Sequence, residues 1–356
     1  VIGARPQFIK TAAVSREIKK HSELQEVIVH TGQHFDKTMS KIFFDEMGIP
    51  KPHYNLNVNG LTHGAMTGQM LEKLDPIVAE EQPDFILVCG DTNSTLAGAL
   101  CGAKMHIPVA HIEAGLRSFN MKMPEEINRI VVDRISNILF CPTDTSVNNL
   151  MNEGFEKFDC KIVKSGDVML DAAMFYSEKI GENTEILSKL SAEPGNYVLC
   201  TLHRAENTDD IERLRSIVDA INEISSNEKV VMPLHPRTRK AIDQNNIKIN
   251  ADVIEPVGYF DMLVLIKNSS LIMTDSGGLQ KEAYFFGKRC ITLRDETEWI
   301  ELINAGINEL VGSSYDKIIE SYSRSLTCSS SFSKGLYGNG KAATIIVDNI
   351  KNTGSF

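Results

Sequence analysis

The chain has 356 residues, 42% of them hydrophobic and 24% charged, a globular composition too long for one comfortable core, so two domains are expected. No apolar run approaches the roughly 20 residues needed to span a bilayer. A formal net charge of -10 opposes nucleic-acid binding, which needs a basic stripe to displace counterions from phosphates.

Val1 and Ile2 read as the tail of a strand. The turn that follows, Gly3-Ala4-Arg5-Pro6, lacks the second and third glycines of the dinucleotide fingerprint, so a nicotinamide cofactor has no evident seat. Arg5 and Lys10 bring positive charge to that turn instead. Short β-branched runs at 26–30, 85–89, 109–112, 138–141 and 161–164 then alternate with amphipathic stretches of helix length. The same alternation resumes with runs at 197–202, 229–234, 253–257, 271–274 and 289–293. Strands separated by helices form βαβ units and parallel sheets, which places the chain in the α/β class. The boundary is placed after the strand ending near 164 and before a polar helical segment that runs to 193–196. This gives a first domain of 1–166, a second of 167–341, and a last helix at about 342–352 after a glycine-rich turn.

The seven cysteines (89, 101, 141, 160, 200, 290 and 328) contain no C-x-x-C, and several lie inside apolar strand runs. They read as buried, reduced thiols of a cytoplasmic protein.

In open parallel sheets, ligands bind beyond the carboxyl ends of strands. Unusual polar residues do follow the predicted strands: Thr31-Gly32-Gln33-His34, Gly90-Asp91-Thr92-Asn93-Ser94, Glu113-Ala114-Gly115-Leu116-Arg117, His203-Arg204, His235-Pro236-Arg237, Asp275-Ser276-Gly277-Gly278 and Arg294-Asp295-Glu296-Thr297-Glu298. Asp275-Ser276-Gly277-Gly278 opens a helical stretch, where free N–H groups and absent side chains make a diphosphate cradle. A plain helix cap with glycines for close packing would look the same. Glu282, inside that helix, could reach a ribose diol or could be a solvated helix residue.

Asp91 stands before a run of capping residues and is as compatible with a cap as with a catalytic acid. Glu113 directly follows the apolar run 109–112, where a carboxylate is costly unless it serves a site. Pro124-Glu125-Glu126-Ile127-Asn128-Arg129 adds carboxylates with a guanidinium partner, although acidic residues in a first helical turn also simply complement the dipole. His203 and His235 end strands. No H-x-x-x-H, H-E-x-x-H or C-x-x-C spacing is present, and no metal site is assigned. Gly335 to Lys341 matches G-x-x-x-x-G-K, but Ala342 follows where a P-loop needs Ser or Thr.

Taken together, Gly3-Ala-Arg-Pro-Gln-Phe-Ile-Lys10, Thr31-Gly-Gln-His34, Gly90-Asp-Thr92, His111-Ile-Glu-Ala-Gly-Leu-Arg117, Pro124-Glu-Glu-Ile-Asn-Arg129 and Asp275-Ser-Gly-Gly-Leu-Gln-Lys-Glu282 resemble the non-hydrolysing UDP-N-acetylglucosamine 2-epimerases, in family order across nearly the whole chain. The resemblance implies a GT-B-like architecture: two Rossmann-like domains with parallel sheets facing across a cleft, the final helix packing back on the first domain, and a cytoplasmic homodimer. It implies a catalytic set of Lys10, Asp91, Glu113, Glu125 and His203. It also implies a UDP-sugar site formed by Arg5, Asn128, Arg129, Arg204, His235, Tyr259, Phe260, Ser276, Gly277, Gly278, Glu282 and Arg294. No cofactor, metal, nucleic acid or membrane enters that picture.

The implied reaction follows from the chemistry of the substrate. The C2 proton of an N-acetylhexosamine is not acidic, and transient oxidation would need a nicotinamide. Elimination of UDP to a glycal and its re-addition, with proton return to the opposite face, remains; it needs proton-transfer groups and a cationic, N–H-rich diphosphate site. The product would serve as a surface-polysaccharide precursor.

The sequence departs from the family at three places. Phe35-Asp36 and Leu61-Thr62-His63-Gly64 replace the polar residues that hold a second, effector nucleotide in many bacterial members, so weak or absent effector activation is expected. Gly335-Leu-Tyr-Gly-Asn-Gly340 varies the usual tail motif. The wording of 118–123 and 62–68 is closest to a branch that includes UDP-2,3-diacetamido-glucuronate 2-epimerases. That substrate is therefore the first alternative. A hydrolysing epimerase, a GT-B glycosyltransferase and a non-catalytic sugar-nucleotide sensor are further alternatives, separated by free UDP, acceptor dependence and binding without turnover respectively.

Overall fold

A computed structural model describes residues 1–33, 47–181, 185–327, 332 and 335–353, with only the main chain of Arg5. The chain divides into two compact units. The first comprises Val1–Met174 and Gly335–Phe356, and the second Phe175–Lys334. The division falls inside the helix Val168–Ile180. From the sequence it was placed at 166/167, with the return at 341/342.

The first unit contains β1 (Val29–His30), β2 (Tyr54–Asn55), β3 (Ile86–Cys89), β4 (Val109–Ile112), β5 (Ile138–Cys141) and β6 (Lys161–Lys164). β3 to β6 form one sheet in sequence order, and β1 pairs with β2, every pairing being parallel. Ile2 bridges His30 of β1, while the amino group of Val1 donates to the Leu87 carbonyl of β3 at 3.0 Å. The first two residues thus reach β1 on one side and β3 on the other, and the strand order reverses at that point. β4 and β5 are buried at every position, as strands covered by helices on both faces must be.

The second unit contains β7 (Val198–Thr201), β8 (Val230–Pro233), β9 (Asp252–Ile254), β10 (Leu271–Thr274), β11 (Cys290–Thr292) and β12 (Asn308–Leu310), in the order β12-β11-β10-β7-β8-β9 and again all parallel. Its order reverses between β7 and β10. The helix Ile211–Ser225 shows how the core is built: Asp210 caps it by accepting from Glu212 N and Arg213 N. Its buried Leu214, Ile217, Val218, Ile221 and Ile224 follow the 3–4 residue spacing of one helical face.

The predicted runs at 109–112, 138–141, 161–164 and 271–274 coincide with β4, β5, β6 and β10. The two- and three-residue strands β2 and β12 carry too few residues to show a period. The segment from 167 to 196 is not the polar helix expected. Val168–Ile180 buries Val168, Met169, Ala172, Ala173 and Tyr176, and a separate short helix, Glu185–Lys189, follows.

The last helix, Ala342–Asn352, packs on the first, Arg5–Ile18, within the first unit. Asp171 caps it across a long sequence separation, accepting from Ala342 N at 3.1 Å and Ala343 N at 2.7 Å.

Candidate functional site

In the first unit, polar side chains gather at the carboxyl ends of the strands, on both sides of the strand-order reversal. The turn at Gly3 is held by Gln7, whose Oε1 accepts from Gly3 N (2.7 Å) and Ala4 N (2.9 Å) while its Nε2 donates to Cys89 O and Thr95 Oγ1. A Cβ at Gly3 would collide with the hydroxyls of Thr31 and Ser94, which bond each other at 2.7 Å, so only glycine fits there. Gln33 joins this cluster by accepting from Ser94 N and Ser94 Oγ. His34, Phe35 and Asp36, and the Arg5 side chain, lie outside the described residues.

Lys10 projects from the first helix, and its ammonium donates to Glu113 Oε2 in a pair buried on both sides. Burial works against the Lys10 charge, yet the adjacent Glu113 carboxylate overrides it and holds the ammonium well above its ordinary range. Glu113 has φ +72°, unusual for a residue with a side chain, and this backbone turns its carboxylate toward Lys10 at the end of β4. Gly90 lies against the pair: a Cβ there would stand 3.3 Å from Lys10 Nζ and 3.4 Å from Glu113 Oε2.

Asp91, the next residue, is not the helix cap. Thr92 takes that role, with Oγ1 accepting from Thr95 N, and the Asp91 carboxylate turns instead to Arg129 Nη1 at 2.6 Å. Burial lifts the Asp91 carboxyl above its usual range; Arg129 pulls it down, and the negative charge of Glu113 raises it further. Asn128 fixes the same turn by donating to Asp91 O at 2.8 Å. Both partners come from the helix Pro124–Ile135. The two acidic residues of its first turn divide their roles. Glu126 is buried, receives Arg129 Nη2 at 2.8 Å, and accepts from Ser118 N and Phe119 N. Burial would raise its carboxyl, but those N–H groups and Arg129 outweigh it and hold the group below the usual range. Glu125 is half-buried.

Thus the structure brings Lys10, Asp91, Glu113, Asn128 and Arg129 into one constellation, with Glu125 on the helix that supplies two of them. The sequence assigns no role to Gln7, and of the two glutamates it takes Glu125 into the catalytic set and leaves out Glu126. The Pro-Glu-Glu signal pointed to both acids, and burial separates them.

In the second unit the corresponding reversal lies between β7 and β10. Asp275, fully buried after β10, accepts from His203 N (3.1 and 3.0 Å) and Arg204 N (2.9 Å), and lies 3.2 Å from His203 Nδ1. Arg204 Nε donates to Asp275 O at 3.0 Å. Burial, resisted by Asp275 and aided by Arg204, lowers the His203 pKa and favours its neutral ring. His235, exposed at the end of β8, is 6.0 Å from His203 between ring centroids, and its Nδ1 accepts from Arg237 N to cap the helix Pro236–Gln244.

Ser276 caps the helix Gly277–Phe285 by accepting from Leu279 N, and Gly277 and Gly278 put no side chain of their own on its first turn. This segment interlocks with the loop after β11. Gln280 Oε1 accepts from Thr297 Oγ1, Lys281 lies 4.1 Å from the Trp299 ring centroid, and a Cβ at Gly277 would come 2.7 Å from Glu298 Oε1. Arg294 is buried and donates to Glu298 Oε2 at 3.0 Å. Glu282 is buried too, so it is not a solvated helix residue. Tyr259 and Phe260 open the helix Tyr259–Asn268 and pack against Tyr176. Sequence reasoning quoted Asp275 within its motif but missed that it organises the His203–Arg204 turn. The cap at 275–278 is made by Ser276, and a helix capped there is compatible with the cradle reading.

Among the described residues, no group of three or more His, Cys, Asp and Glu could hold a metal ion. No helix among them is long and apolar enough to cross a membrane.

A sequence profile for a family described as UDP-N-acetylglucosamine 2-epimerase matches residues 16–351. The chain is 54% identical over 349 residues to the UDP-2,3-diacetamido-2,3-dideoxy-D-glucuronate 2-epimerase of Pseudomonas aeruginosa, covering 98% of this chain and 97% of that protein. It is 43% identical over 358 residues to the UDP-N-acetylglucosamine 2-epimerase of Methanocaldococcus jannaschii, covering 98% and 96%. A crystal structure of UDP-GlcNAc 2-epimerase from the latter organism, in complex with UDP-GlcNAc and UDP, superposes with a TM-score of 0.91 at 42% identity over 99% of this chain and 98% of that one. The Neisseria meningitidis UDP-GlcNAc 2-epimerase, bound to UDP-GlcNAc, gives 0.88 at 33% identity over 99% and 98%.

Proposed function

Because the chain belongs to the UDP-N-acetylglucosamine 2-epimerase family, with its GT-B-like α/β fold, we propose that it inverts C2 of UDP-N-acetylglucosamine to give UDP-N-acetylmannosamine by non-hydrolysing elimination and re-addition of UDP. The observation that carries this reading is the buried Lys10–Glu113 pair beside Asp91 and Arg129, with glycine at position 90 keeping the approach to it open. A base removes the C2 proton, the C2–H electrons form the C1–C2 double bond, and the C1–O bond breaks with its electron pair leaving on UDP. In the return step UDP oxygen attacks C1 and a proton is delivered to the opposite face of C2.

Proton transfer falls to Asp91, Glu113, Glu125 and His203. Asp91 binds a proton more readily than an ordinary carboxylate, and His203 favours its neutral ring, so both are poised to exchange protons. Lys10, Arg5, Asn128 and Arg129 supply charge and orientation in the first unit. In the second, the helix N-terminus at Ser276, Gly277 and Gly278, with Arg204, His235 and Arg294, suits departing diphosphate. Glu282 suits ribose hydroxyls, and Tyr259 and Phe260 the uracil edge. Homodimer assembly belongs to the same proposal and is checked by sedimentation. So does a cytoplasmic setting, consistent with the free thiols of Cys89, Cys101, Cys141, Cys160, Cys200 and Cys290.

A second reading, UDP-2,3-diacetamido-2,3-dideoxy-glucuronate as substrate, is favoured by the 54% identity to the Pseudomonas protein. One experiment separates the readings: proton NMR of the enzyme in D₂O with each nucleotide sugar. The expected product is the C2 epimer carrying deuterium at C2, and the faster substrate identifies the branch. Stoichiometric free UDP would indicate the hydrolysing reaction, and absence of C2 exchange with both sugars would sink the assignment.

A further inference from the structure

The motif His111-Ile-Glu-Ala-Gly-Leu-Arg117 contains two residues that the proposed chemistry does not use. His111 is fully buried in the centre of the β3–β6 sheet. Its Nε2 lies 2.8 Å from the Gly90 carbonyl oxygen and its Nδ1 2.7 Å from Asp133 Oδ1, both within hydrogen-bonding distance. The other oxygen of Asp133, itself fully buried on the helix Pro124–Ile135, accepts from Gly115 N at 3.1 Å and Arg117 Nη1 at 2.7 Å. Arg117 closes the network outward on Glu153, with Nε and Nη2 meeting the two carboxylate oxygens at 2.6 and 2.8 Å.

One carboxylate therefore anchors two turns. Through His111 it holds Gly90, whose successor is Asp91; through Gly115 it holds the loop that begins at Glu113. The second turn is otherwise costly, because Glu113 holds φ +72° with a side chain, whereas Gly90 (+70°) and Gly115 (+77°) adopt that region freely. A turn held in a sparsely populated backbone region persists only when its surroundings over-determine it.

Resting on the epimerase reading above, we propose that Asp133, acting through His111 and the Gly115 amide, is the positioning residue that sets the Asp91 and Glu113 carboxylates relative to each other for proton transfer at C2. It touches no substrate. Its removal displaces both proton-transfer groups while leaving the nucleotide-holding loops of the second unit intact.

The test uses full-length Asp133→Asn, with Glu153→Gln as control because Glu153 loads the same Arg117 but reaches neither anchored turn. The readouts are kcat, UDP affinity by calorimetry, and Tm. For Asp133→Asn the expected result is a kcat lowered about 10²-fold, as misplacement of reacting groups costs, with UDP affinity within about two-fold of the parent. Glu153→Gln is expected to lower Tm while keeping kcat within about two-fold. Should Asp133→Asn fail to fold, His111→Gln takes its place, since its amide can still donate to Gly90 O but loses Asp133. Equal kcat losses in the Asp133 and Glu153 variants, an unchanged kcat in a folded Asp133 or His111 variant, or failure of both variants to fold would each overturn the proposal. Failure of the epimerase reading shows separately, as a parent enzyme that exchanges no C2 proton.

Discussion

Lys10 and Glu113 occupy a site where neither could remain charged alone. Breaking such a buried pair by removing one partner typically costs about 3–5 kcal/mol, because the survivor is left uncompensated. Glu113→Gln is therefore expected to lower Tm and, if Glu113 moves the C2 proton, to cut kcat by about 10²–10⁴-fold. Kinetics and thermal unfolding of the same preparation check both at once; a destabilised variant with near-parental kcat would make the pair structural. A second residue-scale consequence concerns acid. Asp133 and Glu126 are held below their usual carboxyl range, each because its hydrogen-bonding and cationic neighbours outweigh burial. A group whose pKa is depressed by folding contributes stability above its unfolded value, near about 4, and that contribution is lost as pH falls through the folded value. Tm should thus fall steeply below about pH 4, and less steeply in Asp133→Asn, because one of the two linked groups is gone. Parallel Tm–pH curves for parent and variant would contradict this.

At the scale of the element, the helix Gly277–Phe285 joins two roles that the sequence left as alternatives. Ser276 caps it, and the two glycines that follow add no side chain to its first turn. Gly277→Ala would push a methyl group to 2.7 Å from Glu298 Oε1, on the face that the nucleotide is proposed to use. UDP affinity is expected to fall at least about ten-fold with the fold retained, read by calorimetry and circular dichroism. Glu282→Gln, farther along the same helix, should raise KM with kcat nearly unchanged, because ribose contacts act equally in ground and transition states. A collapsed kcat at normal KM would move Glu282 into the chemistry.

For the whole molecule, the informative connection is the return of the chain end to the first unit. The carboxylate of Asp171 meets the first two backbone amides of the helix Ala342–Asn352, and that helix packs on Arg5–Ile18, which carries Lys10. Loss of such a cap costs about 1 kcal/mol, or roughly 2–4 °C in Tm for a unit of this size, so Asp171→Ala should produce a small, measurable shift in thermal unfolding. An unchanged Tm would mean that helix packing alone holds the return. Substrate saturation is expected to be hyperbolic, as the sequence at 35–36 and 61–64 implies; strongly sigmoidal curves would reveal a second nucleotide site built from other residues.

By itself the sequence determined the α/β class, the positions of most strands, the family and the candidate residues, because strand runs buried on both faces are continuously apolar and polar residues placed directly after them break that rule visibly. The strand run 138–141 and the motifs containing Asp91, Glu113, His203 and Asp275 are of this kind. Only the tertiary structure decided which of these polar residues meet. Lys10 and Glu113 are 103 positions apart, Arg129 and Asp91 38, and Asp275 and His203 72, and no local spacing encodes such pairs. It also decided between neighbours that look equivalent in sequence: Glu126 is buried on Arg129 while Glu125 stays half-buried, because successive helical residues point about 100° apart and only one can face the core. Asp133 was invisible for the same reason, one of three acids in an amphipathic helix until the fold brings His111, Gly115 and Arg117 around it.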